Sequence, residues 1–281
     1  MSFPNLTRLF FFSALVAASG ASASDFQSAR TAGLGGSGHA APILTDAIYM
    51  NPAMIAFLNA YSVTVTRNSY SGPDSHEPKG ALLNASIQDG TNSLLAAGVG
   101  YTRKSFGKEV TVGASSRLFQ NYGIGIGGKF LFGSESKDSA QDATVSALGS
   151  PLPWLQTSVI VDNALQTTKS KQWGLSREII LGVKVNVEKL MLIYFDPHLV
   201  PTKPAGDSYG YELGAEIPLF TDFYIRGGIN RNSFQTQLNQ YGRGHGFGVG
   251  WSFPRLSLDA AMTRTISPAR TNNFLISITI I

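Results

Sequence analysis

From residue 59 to the C-terminus the sequence alternates, residue by residue, between apolar side chains and small or polar ones. The run Ser176–Glu188 shows it most cleanly. Ile179, Leu181, Val183, Val185 and Val187 share one parity, and Ile180, Gly182, Lys184, Asn186 and Glu188 share the other. A period of two places successive side chains on opposite faces of a strand. The pattern recurs in Val110–Leu118, Tyr122–Phe132, Tyr209–Ile217, Phe223–Asn230, Gly246–Phe253, Leu256–Thr263 and Phe274–Ile280. Such a chain is all-β, and the choice narrows to a soluble sandwich or a closed barrel in a membrane.

Two details select the membrane. The apolar parity carries Tyr, Trp and Phe near strand ends, as an aromatic girdle does, while the other parity holds Gly, Ser, Thr and isolated charges, as a wet lumen does. The strands also run to about 9–11 residues, the length a tilted strand needs to cross a bilayer, whereas soluble strands average about 5–6. Composition agrees: 43% of the 281 residues are hydrophobic and only 14% are charged, against about 25% charged in a soluble domain. A helical membrane protein is disfavoured, because the one long apolar run, Leu9–Ala18, falls short of the roughly 20 residues a spanning helix needs. Cysteine is absent, which removes disulfides and thiolate metal sites. The net charge of +4, with no basic run, offers nucleic acid no binding stripe.

The first 23 residues have the form of a signal peptide: Arg8, the apolar core Leu9–Ala18, and an A-x-A site at Ala21-Ser22-Ala23. The expected destination is the outer membrane of a Gram-negative bacterium. Connection lengths then give a topology. Short connections fall at Asp89–Asn92, Gln120, Glu188, Pro218–Thr221 and Pro254–Arg255, and longer ones at Tyr70–Lys79, Asn163–Gly174, Leu199–Gly206, Asn232–Gly242 and Arg264–Thr271. Short periplasmic turns alternating with longer outside loops are the outer-membrane pattern. Thirteen strands are evident, but both barrel ends should lie in the periplasm, which requires an even number. Ala140–Ala147 is a weak alternating segment that supplies the fourteenth, with Leu148–Pro153 as another short turn. The reading is an antiparallel transmembrane β-barrel of about 14 strands over residues 59–281.

Nothing in the sequence points to catalysis. The Gly123–Gly128 run lies inside a strand and opens no helix, so it is no phosphate loop. Its glycines fall on the inner parity and leave room for whatever fills the lumen. His39, His76, His198 and His245 show no ligand spacing, and Asp196-Pro197-His198 reads as a solvated strand end. No Ser has the strand–elbow–helix context of a nucleophile. No enzyme activity, cofactor or metal is expected. Arg117, Lys129, Lys184, Glu188, Glu212, Glu216, Asp222 and Arg226 fall on the polar parity. The ordinary reading is that they solvate a wet lumen or pair with one another; the sharper one is that some hold the N-terminal segment or meet a ligand headgroup.

Phe26–Leu58 reads as neither strand nor simple loop. It is rich in Gly and Ala, contains Pro42 and Pro52, and carries almost no charge beyond Arg30 and Asp46. Pro52 removes an amide donor and restricts Asn51 to extended conformations, and the Asn side chain can serve backbone groups that cannot join the barrel ladder. The expectation is that residues 24–58 form a plug inside or under the barrel; the competing reading is a turn that hands the chain to the first strand.

Ala32-Gly33-Leu34-Gly35-Gly36-Ser37-Gly38, followed by Asp46-Ala47-Ile48-Tyr49-Met50-Asn51-Pro52-Ala53, resembles the "GMGGAG…DA…YNPA" signature of the FadL/TodX family of outer-membrane transporters for hydrophobic compounds, and of related PorV-type barrels. Gly35, Gly36, Asn51, Pro52 and Ala53 are the positions matched. Val159–Leu165 through Leu181–Lys184, Tyr211–Glu216 and Ile225–Gly228 look like the family's later barrel. The resemblance implies fourteen strands, a plugged lumen, and passive uptake of hydrophobic or amphipathic small molecules such as long-chain fatty acids. The implied partners are outer-membrane lipid, such a ligand, and the barrel assembly machinery, which reads a last strand of alternating hydrophobics; here that strand is Phe274, Ile276, Ile278 and Ile280, ending on Ile281 instead of an aromatic. A monomer is expected. The chain is short for this family and has little outer-loop material for a capture groove. The alternative is therefore a non-transporting, PorV-like barrel that serves as a scaffold in an outer-membrane secretion or assembly complex.

Overall fold

The computed structural model of the chain describes residues 28–72, 82–92, 94–104, 107–133, 139–188, 190–204, 208–235, 241–267 and 270–281. The leader over residues 1–23, and His76, lie outside the described residues. Three short helical turns come first among the described residues: α1 (Ala29–Gly33), α2 (Asp46–Met50) and a 3-10 helix (Pro52–Phe57). Seven strands follow, β1 (Tyr61–Ser71), β2 (Leu82–Asp89), β3 (Ala96–Lys104), β4 (Gly107–Phe119), β5 (Tyr122–Gly133), β6 (Ser139–Leu152) and β7 (Leu155–Asp162). After α3 (Thr168–Gln172) come β8 (Glu178–Val187), β9 (Met191–Leu199), β10 (Tyr209–Leu219) and β11 (Phe223–Gln235). The last three are β12 (Tyr241–Ser252), β13 (Leu256–Ser267) and β14 (Thr271–Ile280).

Every strand pairs antiparallel with its sequence neighbours, and β1 closes the barrel on β14 in the register Val63↔Ile280 to Ser71↔Asn272. Closure removes every free edge, which lipid requires of a sheet. The fourteen strands agree with the count expected from parity. The weak segment over 140–147 is the middle of β6, the longest strand at 14 residues. The turn expected over 148–153 shrinks to Pro153 and Trp154, because Leu152 already pairs with Leu155 after a register shift. The loops expected over 232–242 and 264–271 are likewise shorter, since β11, β12 and β13 run on to Gln235, from Tyr241 and to Ser267. Polar residues continue a ladder as readily as apolar ones once it has left the lipid, so composition marks the membrane edge and not the strand end.

The two faces are as different as the alternation implies. On β5, Ile124, Ile126, Phe130 and Phe132 point outward and are exposed, while Lys129 and Leu131 are buried inside. On β14 the same holds for Phe274, Ile276, Ile278 and Ile280 against Asn273, Leu275, Ser277 and Thr279. Exposed aromatics gather at the short-turn end (Tyr61, Phe119, Tyr122, Trp154, Phe220, Trp251) and again at the other end (Phe132, Tyr209, Phe274). Two such belts flanking an apolar band mark the interfaces of a transmembrane barrel. Gly128 corrects the reading of the glycine run. It faces outward between Val112 and Phe130, and only Gly123, Gly125 and Gly127 look inward.

Candidate functional site

The interior is where chemistry-bearing residues meet, and Ser28–Leu58 occupies it. Side chains from almost every part of the wall reach this segment. Ser28 caps α1: its Oγ accepts from the Thr31 amide at 3.2 Å, while Thr31 Oγ1 accepts from the Ser28 amide at 3.0 Å. Ser28 Oγ also donates to Asp46 at 2.7 Å, tying α1 to α2. The Ala29 amide donates to Ser277 Oγ on β14 at 2.9 Å.

Arg30 is the centre of the first contact. Its Nε donates to Glu216 at 3.2 Å and its Nη2 to the Tyr194 hydroxyl at 2.8 Å. Glu216 also accepts from Arg226 Nε at 2.6 Å, and Arg226 pairs in turn with Asp259. All five side chains are buried. Burial opposes the charge of Arg30, but Glu216, Tyr194 and Asp46 together outweigh it and hold the guanidinium pKa above its ordinary value. Burial raises the Asp46 carboxyl to about 6, against the hydrogen bond from Ser28 and the charge of Arg30.

The chain then turns through Gly35 and Gly36, at left-handed φ of 70° and 100°. Only glycine does this cheaply, and a side chain at Gly36 would also enter the Glu212 carboxylate. Asn230 Nδ2 donates to the Gly35 carbonyl at 3.0 Å. Asp196 on β9 receives three bonds on one oxygen: the Gly38 amide at 2.7 Å, the His39 amide at 2.9 Å and His39 Nδ1 at 2.9 Å. Burial would lower the His39 pKa, yet Asp196 and then Glu212 reverse this and leave it raised. His198 Nδ1 lies 2.8 Å from Glu178, and its Nε2 lies 3.4 Å from Glu212.

The second half of the segment meets a different wall. Asn51 is fully buried and donates to the His39 carbonyl at 2.8 Å. The Ala53 and Ala56 amides donate to Ser146 and Ser115 at 3.0 and 2.9 Å. Ile48 and Ile55 pack with Ala47, Ala56 and Ala96, and Phe57 with Leu58 at their margin. Gly125 abuts the Pro52–Ala53 backbone, and Gly123 abuts the Phe57 ring.

Of the expected lumen residues, Glu212, Glu216 and Arg226 converge on the first half of the segment. Arg117 reaches the second half, donating to the Ala56 carbonyl at 2.9 Å with its guanidinium 4.5 Å from the Phe57 ring. Lys129 faces inward but pairs with Asp162 at 2.5 Å, beside Thr144. Lys184 is partly buried near Gln156 at 3.4 Å, beside a recess of about 420 Å³ at the short-turn end that Trp154 and Asn186 also line. Glu188 and Asp222 are not lumen residues; both are exposed in turns, where parity no longer specifies a face. Asp196 and His198 overturn the reading of a solvated strand end, being 0% and 4% exposed. β9 carries apolar residues on both parities, so Tyr194, Asp196 and His198 were hidden in a run with no visible inner face. Their shared parity, opposite Phe195, Pro197 and Leu199, is the signal that was there to use.

No protein-family model matches the sequence, and no curated protein matches it. Solved structures share the fold. The CymD monoaromatic hydrocarbon channel aligns with a TM-score of 0.64 at 10% identity, over 89% of this chain and 95% of its own. The Pseudomonas putida toluene transporter TodX aligns with a TM-score of 0.59 at 11% identity, over 90% of this chain and 96% of its own. The Acinetobacter baumannii outer membrane protein Omp33 aligns with a TM-score of 0.54 at 10% identity, over 78% of this chain and 96% of its own. The chain thus has a closed antiparallel fourteen-stranded barrel with the fold of the CymD and TodX monoaromatic hydrocarbon channels.

Proposed function

We propose that this chain is an outer-membrane barrel for passive entry of hydrophobic or amphipathic small molecules, with residues 24–58 acting as a plug that gates the lumen. The observation that carries this is how the segment is held. The strand ladder closes on itself through β1 and β14 without any part of Ser28–Leu58. The segment is fixed by side chains of the wall, so it can shift without opening the barrel. A covalently continuous but non-laddered filler is what a gate requires.

The substrate class rests on the structural neighbours. The neighbouring channels are named for monoaromatic hydrocarbons and toluene. Toluene-sized aromatics and long-chain fatty acids both belong to that hydrophobic or amphipathic class. The test is flux in proteoliposomes, comparing the intact barrel with one lacking Ala32–Ala53. Deletion should raise or abolish entry of an aromatic or fatty-acid probe. Flux unchanged by the deletion would count against gating, and flux equal to protein-free vesicles in both would count against transport.

One feature favours a second reading, a scaffold in an outer-membrane complex. Several outward connections are brief, β3 to β4 spanning residues 105–106 and β13 to β14 residues 268–270. That leaves little material for a capture groove. Gentle detergent extraction that yields a stoichiometric partner, with no flux, would support this second reading; a lone barrel would weaken it.

A further inference from the structure

We propose that His39, His198 and Glu212 form a binding site for one divalent transition-metal ion of the zinc type, which joins the N-terminal segment to the barrel wall. The three residues come from three places, His39 from the loop after α1, His198 from β9 and Glu212 from β10. One ligand atom from each lies within 4.8 Å of the others. Glu212 Oε2 stands 3.5 Å from His39 Nδ1 and 3.4 Å from His198 Nε2.

Two further observations separate this cluster from an ordinary buried ion pair. His198 Nε2 and Glu212 Oε2 are both buried, and neither makes a well-formed hydrogen bond. Two orphaned polar atoms facing one another deep in a protein are costly unless something joins them. The outer ring of contacts is also that of a metal site. Glu178 holds His198 Nδ1 at 2.8 Å and leaves Nε2 to ligate, while His39 Nδ1, the nitrogen 3.5 Å from Glu212, shares the Asp196 oxygen with the Gly38 and His39 amides. Carboxylates in that position fix ring orientation and raise the basicity of the ligating nitrogen.

Geometry and charge agree. The imidazole centroids are 5.5 Å apart with the rings nearly perpendicular. Zn–N bonds of about 2.0–2.1 Å at a tetrahedral angle place two imidazole centroids about 5 Å apart. Glu178, Asp196 and Glu212 supply three carboxylates against two imidazoles, an excess of negative charge that a dication offsets. A donor set of two nitrogens and one oxygen suits zinc, cobalt or nickel, whereas magnesium and calcium prefer oxygen alone. The fourth position would fall to water. The inference does not depend on what the barrel carries.

The experiment uses the mature protein purified from membranes, stripped with a chelator and titrated with Zn²⁺ by calorimetry. One equivalent per barrel is expected. His39→Ala and His198→Ala should each weaken binding by at least about 100-fold, and the outer-ring change Glu178→Gln by about 10-fold. His245→Ala, at an exposed position on β12, should leave it unchanged. Should a histidine variant fail to fold, the unaltered protein still decides: Co²⁺ must bind with a tetrahedral absorption spectrum and be displaced by one equivalent of Zn²⁺. Absence of stoichiometric Zn²⁺, or binding that survives loss of both histidines, would overturn the site and leave a purely ionic cluster in its place.

Discussion

The two halves of the segment inside the barrel are held by opposite means. Residues 28–45 rest on β8–β14 through charge: Arg30, Glu216, Arg226 and Asp259 form one chain of buried ions, and the Asp196 carboxylate takes the Gly38 and His39 amides and the His39 ring. Residues 46–58 rest on β3–β6 through apolar packing around Ile48 and Ile55, with single hydroxyls from Ser115 and Ser146 taking the backbone amides. The difference follows from the local chain. The first half is a glycine-rich loop whose backbone must be met by the wall, and carboxylates meet amides and a guanidinium strongly. The second half is helical, satisfies much of its own backbone, and presents side chains to bury. An ionic contact can be broken by a proton or a competing ion, while an apolar one cannot, so the first half is the part suited to move.

That contrast makes graded predictions, read as hydrogen-exchange protection of residues 28–58 in the folded barrel. The largest effect belongs to Glu216→Ala. It leaves Arg30 and Arg226 buried without their shared carboxylate, a loss of about 3–5 kcal/mol, and protection should fall in the first half. Arg30→Ala should do less, since Glu216 keeps Arg226. Next comes Ile55→Ala, which empties a fully buried position at a cost of about 2–5 kcal/mol and should loosen the second half alone. Equal loss in both halves from either change would erase the distinction.

A smaller effect comes from sterics on β11. A Cβ at Gly228 would strike the Leu34 carbonyl, whereas one at Gly227 meets nothing within 4 Å. Gly228→Ala should displace the loop at a cost of about 1–3 kcal/mol, and Gly227→Ala should be silent. The smallest is a pH effect at Asp46, whose neighbours are Ser28, Arg30, Arg226 and Asp259. Its carboxyl is raised to about 6 from 3.8. Its stabilising share is therefore full below pH 4 and is lost as pH rises through 6. Protection at pH 5 should exceed that at pH 7.5, and Asp46→Asn should narrow the gap.

Much of the barrel was legible in the sequence because lipid imposes a strict period on the wall. Ile179, Leu181 and Val183 mark the outside of β8 without ambiguity, and the parity of turns recovered even the faint β6 from residues 140–147. Glu212, Glu216 and Arg226 were legible as inner charges for the same reason. What they bind was not. Their partners Arg30 and His39 lie in a segment with no period, and their separations of 186 and 173 residues in sequence for Arg30–Glu216 and His39–Glu212 leave no local trace. Asp196 and His198 were missed because Tyr194 and Phe195 make both faces of β9 look apolar. The ends of β11 and β13 were missed because a ladder outside the membrane needs no hydrophobic residues.

The central claim is that the segment in the lumen controls passage, and a tether tests it most directly. The chain has no cysteine, so Ala29→Cys with Ser277→Cys, where the Ala29 amide lies 2.9 Å from the Ser277 side-chain oxygen, would give one disulfide from α1 to β14. Flux of an aromatic probe through the oxidised barrel in vesicles should fall to the protein-free level and return on reduction. Equal flux with the tether formed and reduced would contradict the account.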